Sequence, residues 1–390
     1  MLTSCTGRGG AGNSLFLMLK HFDRELIEPV VVMPSDGVIG KKLNVRGIKT
    51  IHSSRLRERL YEHRFRSVNR WTLTLSFLLN VWDSLVFIHQ LNRILKTEAV
   101  DVVYCNHMMV KVMGILAGSR RGLPVITHCR TIYSGSLERL FYVVFSSLPT
   151  VKRIVAVSHA AAANYRALEH KVRVVHNGVD LKEHSASIHA GKLRQRYDIS
   201  NSTIVVGYVG RLVKWKGVHI LLEAAKKVAG LRSNIAFAVV GGDVPGSATK
   251  TLDEYGDFLR NNGLDTRVFL TGFQEDVHSY LVDLDIVVVP SLNPDPFPRT
   301  VIEAMAFGKP VIASALGGIP EAIRHERTGI LVEPGNVSEI VTQILRLADD
   351  AQLREEIGTR AEQVVFQHFN AKTASEEIQK VITDVVRNHV

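Results

Sequence analysis

The chain has 390 residues, 46% of them hydrophobic and 7% aromatic, too long for one ordinary domain and sufficient for two with separate cores. It has no run of ~18 uninterrupted apolar residues for a membrane span and no secretory signal, and its three scattered cysteines, Cys5, Cys105 and Cys129, read as reduced thiols of a cytosolic protein. The net charge of +10 is uneven, with 26 Lys and Arg against 13 acids in residues 1–185 and 22 against 25 in residues 186–390, so the first half is expected to meet an anionic surface or ligand.

No helix-turn-helix, finger or aromatic-rich RNA-binding signature accompanies the basic half, so no nucleic-acid partner is expected. An anionic membrane surface fits. Along the chain, a glycine loop comes first: residues 7–12, GRGGAG. It has the letters of a dinucleotide fingerprint, but the strand before it is rudimentary. Asp36, the acid ending the next strand, stands 24 residues after Gly12. The loop therefore reads as a turn that lets backbone N–H groups approach a phosphate or sugar, with a nicotinamide oxidoreductase as the rival.

Strands are expected at 29–33, 101–105, 125–127, 153–157 and 172–176 in the first half. Between the first two of these lies a run of six arginines, Arg55, Arg57, Arg59, Arg64, Arg66 and Arg70, followed by the apolar WTLTLSFLLNVWDSLVFI. Two readings stay open. One is a solvated basic helix before a core helix. The other is an interfacial helix with arginines on lipid headgroups and Trp71 or Trp82 at the boundary. His107 and His128 fall at consecutive strand ends, where open α/β sheets hold ligands, and Arg130 adds a cation.

The polar stretch 181–202 is the natural domain boundary. Beyond it, strands are expected at 204–209, 235–240, 268–270, 285–289, 310–313 and 329–332. Apolar strands separated by helices are the pattern of a doubly wound parallel sheet, here occurring twice. Residues 210–217, GRLVKWKG, follow the strand that opens the second domain. Gly210 permits a tight turn beside a ligand. Arg211 offers a planar fork of donors and Lys216 a point charge, so the two could neutralise a diphosphate without metal. Residues 241–246, GGDVPG, form a further glycine loop after a strand. Asp283 and Asp285 have DxD spacing, but Asp285 leads straight into an apolar strand and looks structural. No metal site is expected.

Residues 290–321 carry the most information. Four prolines in nine residues, Pro290, Pro294, Pro296 and Pro298, end a strand in a stiff loop. A short buried helix over 300–307 follows, with Glu303 as its only charge. An unpaired carboxylate there would cost several kcal/mol, so Glu303 requires a partner. With Asp295 eight positions earlier, two carboxylates flank a helix N-terminus, an arrangement suited to hydroxyl-rich, phosphate-bearing ligands. Residues 370–390 read as a terminal amphipathic helix.

Together GRLVKWKG, the acid-x7-Glu segment and GKPVIAS…GGIPE resemble the retaining glycosyltransferases of family 4, also called group 1. The resemblance implies the GT-B fold: α/β, two facing Rossmann-like domains, with the last helix crossing back to the N-terminal domain. It implies an acceptor-binding domain at 1–185, a nucleotide-sugar domain at 186–369 and the returning helix at 370–390. Arg211 and Lys216 match the diphosphate-binding pair and Glu303 the ribose-binding glutamate. Asp295 matches the sugar-contacting glutamate, His128 the active-site histidine, and Gly9 and Gly10 the glycine loop near the donor phosphate. Gly210, Phe297, Arg299 and Thr300 are expected to complete the donor site.

Two departures stand out: Asp295 is one methylene shorter than the usual glutamate, and Pro298, which has no N–H, stands where glycine is common. The implied reaction is metal-independent, retaining transfer from a UDP- or GDP-sugar to a glycan or lipid-linked acceptor. No cofactor is implied. The implied setting is polysaccharide or lipopolysaccharide synthesis, in the cytoplasm or peripherally on the cytoplasmic face of the membrane. A nucleotide-sugar hydrolase or epimerase of the same architecture and a non-catalytic membrane-bound accessory protein are the other rivals.

Overall fold

The β-branched runs form parallel strands, and the stretches between them form helices, in two units: residues 1–178 with 371–390, and residues 179–370. The computed structural model describes residues 1–4, 10–56, 70–180, 191–242 and 251–389, with residues 70–80 and 109 described by backbone alone. Gly9, Arg57, Arg59, Arg64 and Arg66, the linker at 181–190 and the glycine loop from 243 on lie outside the described residues, as do the side chains of Arg70 and Trp71.

In the first unit the strands are β1 (Val30–Met33), β2 (Lys49–His52), β3 (Val103–Cys105), β4 (Val125–Cys129), β5 (Val151–Ala156) and β6 (Val172–Val174). β1 pairs with β2, and β3 to β6 pair in sequence order. Leu2 bridges Val32 on one side and Cys105 on the other. Its N–H donates to the Tyr104 carbonyl (2.8 Å), its carbonyl accepts from the Asn106 N–H (2.9 Å), and Thr3 N–H donates to the Val32 carbonyl (3.1 Å). The rudimentary first strand is thus a true central strand only a few residues long. It gives the order β2-β1-Leu2-β3-β4-β5-β6.

β2 is absent from the expectations drawn from sequence. Its residues, KTIH, lie half-exposed or exposed at the sheet edge, so they lack the apolar run that marks a strand buried on both faces. The helix Ala371–Arg387 belongs to this unit. Its Ile378, Ile382 and Val385 join a core with Leu15, Met18, Leu19, Val31 and Val155, and its Ser375 hydroxyl donates to the Met18 carbonyl (2.6 Å). That packing is the return of the last helix to the N-terminal domain.

The second unit contains β7 (Ile204–Val209), β8 (Ile235–Val240), β9 (Val268–Gly272), β10 (Ile286–Val289), β11 (Val311–Ser314) and β12 (Ile330–Val332). Among the described residues they form one parallel sheet in the order β12-β11-β10-β7-β8-β9. Val206, Phe237, Val288 and Ile312 pack with Leu221 and Ile344 of the flanking helices in its core. Strand order reverses between β7 and β10, which pair through Ile286 with Val206 and Val287 with Gly207. In doubly wound sheets the crevice beyond the carboxyl ends at such a reversal is where ligands bind. Among the described residues no helix is long and apolar enough to cross a membrane.

Candidate functional site

The loop after β7 and the loop after β10 meet at that reversal because Gly217 lets their backbones touch, and Gly317, in the loop after β11, packs as closely against the β10 loop. Gly217 has φ +73°, and a Cβ there would lie 1.9 Å from the Pro290 carbonyl oxygen. Gly317 has φ +59°, and its Cβ would lie 2.2 Å from the Asp295 carbonyl oxygen. Leu292 N–H donates to the Trp215 carbonyl (2.8 Å) and Gly318 N–H to the Asp295 carbonyl (2.8 Å). Held in this way, Lys216 forms an ion pair with Asp295, the side chains being 15% and 11% exposed. The Lys216 ammonium also lies 4.7 Å from the Trp215 ring centroid.

The helix Arg299–Ala306 starts after Pro298, and the Thr300 hydroxyl donates to the Val209 carbonyl (3.1 Å), fastening the helix start to the end of β7. The partner that Glu303 requires is Arg299, one turn earlier, at 2.7 Å. Phe297 is buried and packs on Phe369 with ring centroids 5.3 Å apart. Gly210, φ +153°, leads from β7 to Arg211. The Arg211 side chain is exposed, and among the described residues it has no hydrogen bond or ion pair. The site therefore holds two neutralised ion pairs and one uncommitted guanidinium. Asp283 accepts from the backbone N–H groups of Gly191 (2.5 Å) and Leu193 (2.7 Å). Asp285 accepts from Val205 N–H (2.7 Å) and Arg194 (2.9 Å). Both carboxylates are occupied by the fold.

In the first unit Gly10 opens the helix Gly10–Lys20. His128, at the end of β4, is 1% exposed. Its Nδ1 accepts from the Tyr104 hydroxyl (2.5 Å) and from Arg130 Nη2 (3.3 Å). Arg130 also donates through Nε to Asn106 Oδ1 (3.1 Å) and through Nη1 to Asn177 Oδ1 (2.8 Å). His107 Nδ1 lies 2.9 Å from the Ser4 hydroxyl. Burial, with the charges of Arg130 and Lys111, pushes His128 well below the ordinary histidine range, and burial with the same two cations pushes His107 down to about 4.

Lys111 is itself 1% exposed, its ammonium donating to the hydroxyls of Tyr133 and Tyr165 at 3.1 Å each. Tyr104, Asn106 and Lys111 escaped the reading of the sequence. Asn106 and Tyr104 sit one and three positions before His107, so their place at a strand end was the available signal.

Residues 190–364 match the family model described as glycosyl transferases group 1, and residues 8–183 match the one described as glycosyltransferase family 4. A D-inositol 3-phosphate glycosyltransferase of Actinosynnema mirum is 30% identical over 285 residues, 67% of this chain and 67% of the relative. A UDP-Gal:alpha-D-GlcNAc-diphosphoundecaprenol alpha-1,3-galactosyltransferase of Escherichia coli is 25% identical over 76% of this chain and 79% of its own. The crystal structure of Anabaena HepE in complex with UDP superposes with a TM-score of 0.80, covering 98% of each chain at 24% identity; at that identity the likeness establishes the fold, GT-B.

Proposed function

We propose, from the premise that the chain belongs to the group 1 glycosyl transferases, that it moves a sugar from a UDP- or GDP-sugar to a glycan or lipid-linked acceptor with retention of configuration and without a metal. The observation that carries this reading is the cation set at the β7–β10 reversal. Arg211 is exposed and, among the described residues, its side chain has no hydrogen bond or ion pair, and Lys216 is held in place by Asp295. As the sugar–phosphate bond breaks, negative charge grows on the leaving nucleoside diphosphate. Cations already positioned there stabilise it without reorganising, usually the largest catalytic effect available to an enzyme. The start of the helix Arg299–Ala306 adds its partial positive charge. The leaving phosphate takes the proton of the attacking hydroxyl. Asp295 is assigned the sugar and Glu303 the ribose, and His128 and the glycine loop keep the roles that the family resemblance implies. Retention rests on the family resemblance alone.

A lipid-linked acceptor at the cytoplasmic face of an anionic membrane is the finer part of the proposal. It draws support from the relative whose printed substrate is a diphosphoundecaprenol, from the arginine run, and from one helix of the first unit. On the helix Ser136–Ser147 the side chains of Leu137, Leu140, Phe141 and Val144 are 83%, 58%, 49% and 55% exposed. Their spacing puts all four on one face, as in helices that lie in a lipid interface. Trp82 is 62% exposed on the Arg70–Thr97 helix. Arg55, first of the arginines, pairs with Asp83 at 2.7 Å and serves the fold.

The test is a thermal-shift screen across UDP- and GDP-sugars, followed by product analysis with and without acceptor. A ligand at 100 times its dissociation constant stabilises by about 2.7 kcal/mol. A chain that no nucleotide sugar stabilises, or that only hydrolyses or epimerises its donor in the presence of acceptor, refutes the reading.

A further inference from the structure

Tyr208 is the last residue but one of β7 and is 1% exposed. Its ring belongs to the apolar core that also holds Leu212, Phe237 and Val239. Its hydroxyl does not. That oxygen reaches the loop beyond the strand and donates to the Arg211 carbonyl at 2.8 Å. A Cβ on Gly210 would lie 2.8 Å from the same oxygen, so glycine at 210 leaves the hydroxyl its place. Burial pushes the phenol well above its ordinary range. It therefore stays protonated, and the one proton it has to give goes to Arg211.

The loop it meets is fastened at four consecutive residues. The Val209 carbonyl accepts from the Thr300 hydroxyl (3.1 Å). Gly210 N–H donates to the Val240 carbonyl (2.9 Å), and Leu212 N–H donates to the Gly242 carbonyl (3.1 Å). The Arg211 carbonyl accepts from Tyr208 and from Val213 N–H (3.1 Å). The anchors at Gly210 and Leu212 are backbone contacts to β8 and the residues just beyond it. The one from Tyr208 depends on a single side-chain oxygen, and phenylalanine would fill the same core without it. Packing thus accounts for the ring and leaves the hydroxyl to be explained.

A carbonyl oxygen carries partial negative charge and two lone pairs. Loose beside a diphosphate, it would repel the ligand and compete for the donors of the guanidinium on its own residue. Saturating it removes both effects and fixes the main chain from which the side chain extends. We infer that Tyr208 is a positioning residue of the donor site: by holding the Arg211 carbonyl it fixes the backbone from which the Arg211 guanidinium meets the diphosphate. The inference deepens the proposed function and rests on it for the role of Arg211. Tyr208, buried beneath the loop, meets no ligand itself. Its contribution is preorganisation, which is where a fixed cation gains over a mobile one.

The experiment measures dissociation constants for UDP and GDP by calorimetry on the full chain, because the released nucleotide carries the charge that Arg211 is to stabilise. The proteins are wild type, Tyr208→Phe, Arg211→Ala and the double variant. For the nucleotide that binds more tightly, Tyr208→Phe should weaken binding about five- to tenfold, the worth of one hydrogen bond. Arg211→Ala should weaken it further. In the Arg211→Ala background Tyr208→Phe should then change binding less than twofold, because the group it positions is gone. Equal losses in both backgrounds, or no loss in the first, overturn the inference while leaving Arg211 in the site. Wild type that binds neither nucleotide, or Arg211→Ala that binds as wild type, refutes the proposed function and the role of Tyr208 with it.

Amide hydrogen exchange gives a second reading that a purely structural role would not produce. Tyr208→Phe should speed exchange of the Leu212 and Val213 amides several-fold and leave those of β8 unchanged. Faster exchange throughout the second unit marks general loosening and overturns the inference. The wild type decides even if the variant does not fold, since fast exchange at Leu212 and Val213 there would show that the loop is not held.

Discussion

Arg211→Ala and Lys216→Ala should damage catalysis alike and stability very differently. The Arg211 side chain is exposed and has no hydrogen bond or ion pair among the described residues, so its loss should leave the unfolding free energy within about 0.5 kcal/mol of wild type. Lys216 and Asp295 are 15% and 11% exposed. Removing one member of a buried pair strands the other charge at a cost of about 3–5 kcal/mol. The residual exposure here, with water able to reach the orphaned carboxylate, brings the expected loss to roughly 2–3 kcal/mol. The double variant Lys216→Met with Asp295→Asn should recover much of that stability, since neither charge remains to be left unpaired, and none of the activity.

On the catalytic side, a cation about 4 Å from a developing charge is worth about 4 kcal/mol at an effective dielectric constant of about 20. Partial compensation by water should reduce this to a loss of about 100- to 1000-fold in kcat/KM for Arg211→Ala. Urea unfolding followed by circular dichroism and release of nucleoside diphosphate measure the two effects separately. Arg211→Ala transferring within a few-fold of wild type refutes the site. Lys216→Ala as stable as wild type refutes the reading of the ion pair.

Gly217→Ala places a methyl group 1.9 Å from the Pro290 carbonyl oxygen at φ +73°. It should destabilise the second unit by about 2 kcal/mol or more and weaken donor binding by displacing Lys216, with unchanged thermal unfolding as the contrary result. Stability should also fall in mild acid. His128 and His107 titrate below the ordinary 6.5, His107 at about 4, so above pH 6.5 folded and unfolded chains both hold them neutral. As pH falls below 6.5 the unfolded chain takes up protons that the folded chain refuses. Each histidine then removes up to about 1.4 kcal/mol per pH unit. Urea midpoints at pH 7 and pH 5 test this, and His107→Gln should shallow the slope; equal midpoints in the wild type contradict it. Leu140→Ser with Phe141→Ser should lower binding to vesicles half composed of phosphatidylglycerol about tenfold or more, since each removes apolar area that would enter the interface. Unchanged flotation argues against a lipid contact by that helix.

What sequence could tell of the fold depended on burial. β7 and β8, buried almost throughout, were readable to the residue as 204–209 and 235–240 because strands covered on both faces are continuously apolar. β2 lies at an edge and has the composition of a loop. The strand through Leu2 was readable only as a doubt, since its pairing comes from neighbours about 30 and 100 residues away and not from its own length. Lys216 and Asp295 stand 79 positions apart. They meet because strand order reverses between β7 and β10, and because Gly217 and Gly317 allow backbone contact that nothing distinguishes, in sequence, from any other glycine.

The structure alters the chemistry expected of the 290–321 segment. Read from sequence, Asp295 and Glu303 are two carboxylates awaiting hydroxyls. In the fold each already faces a cation, Lys216 and Arg299, so neither brings net negative charge to a site that has to receive a diphosphate. A carboxylate held by one oxygen still accepts through the other. In Asp295 the ion pair engages Oδ2, and among the described residues Oδ1 accepts no hydrogen bond. Asp295 can thus bind a hydroxyl while Lys216 screens its charge from the phosphates. Its side chain is one methylene shorter than the usual glutamate and clamped at the backbone by Gly317 and Gly318. Its reach is therefore set by the loop, and Asp295→Glu should change the choice among sugar epimers more than the affinity for the nucleotide; equal effects on both would show that Asp295 acts only as the anchor of Lys216.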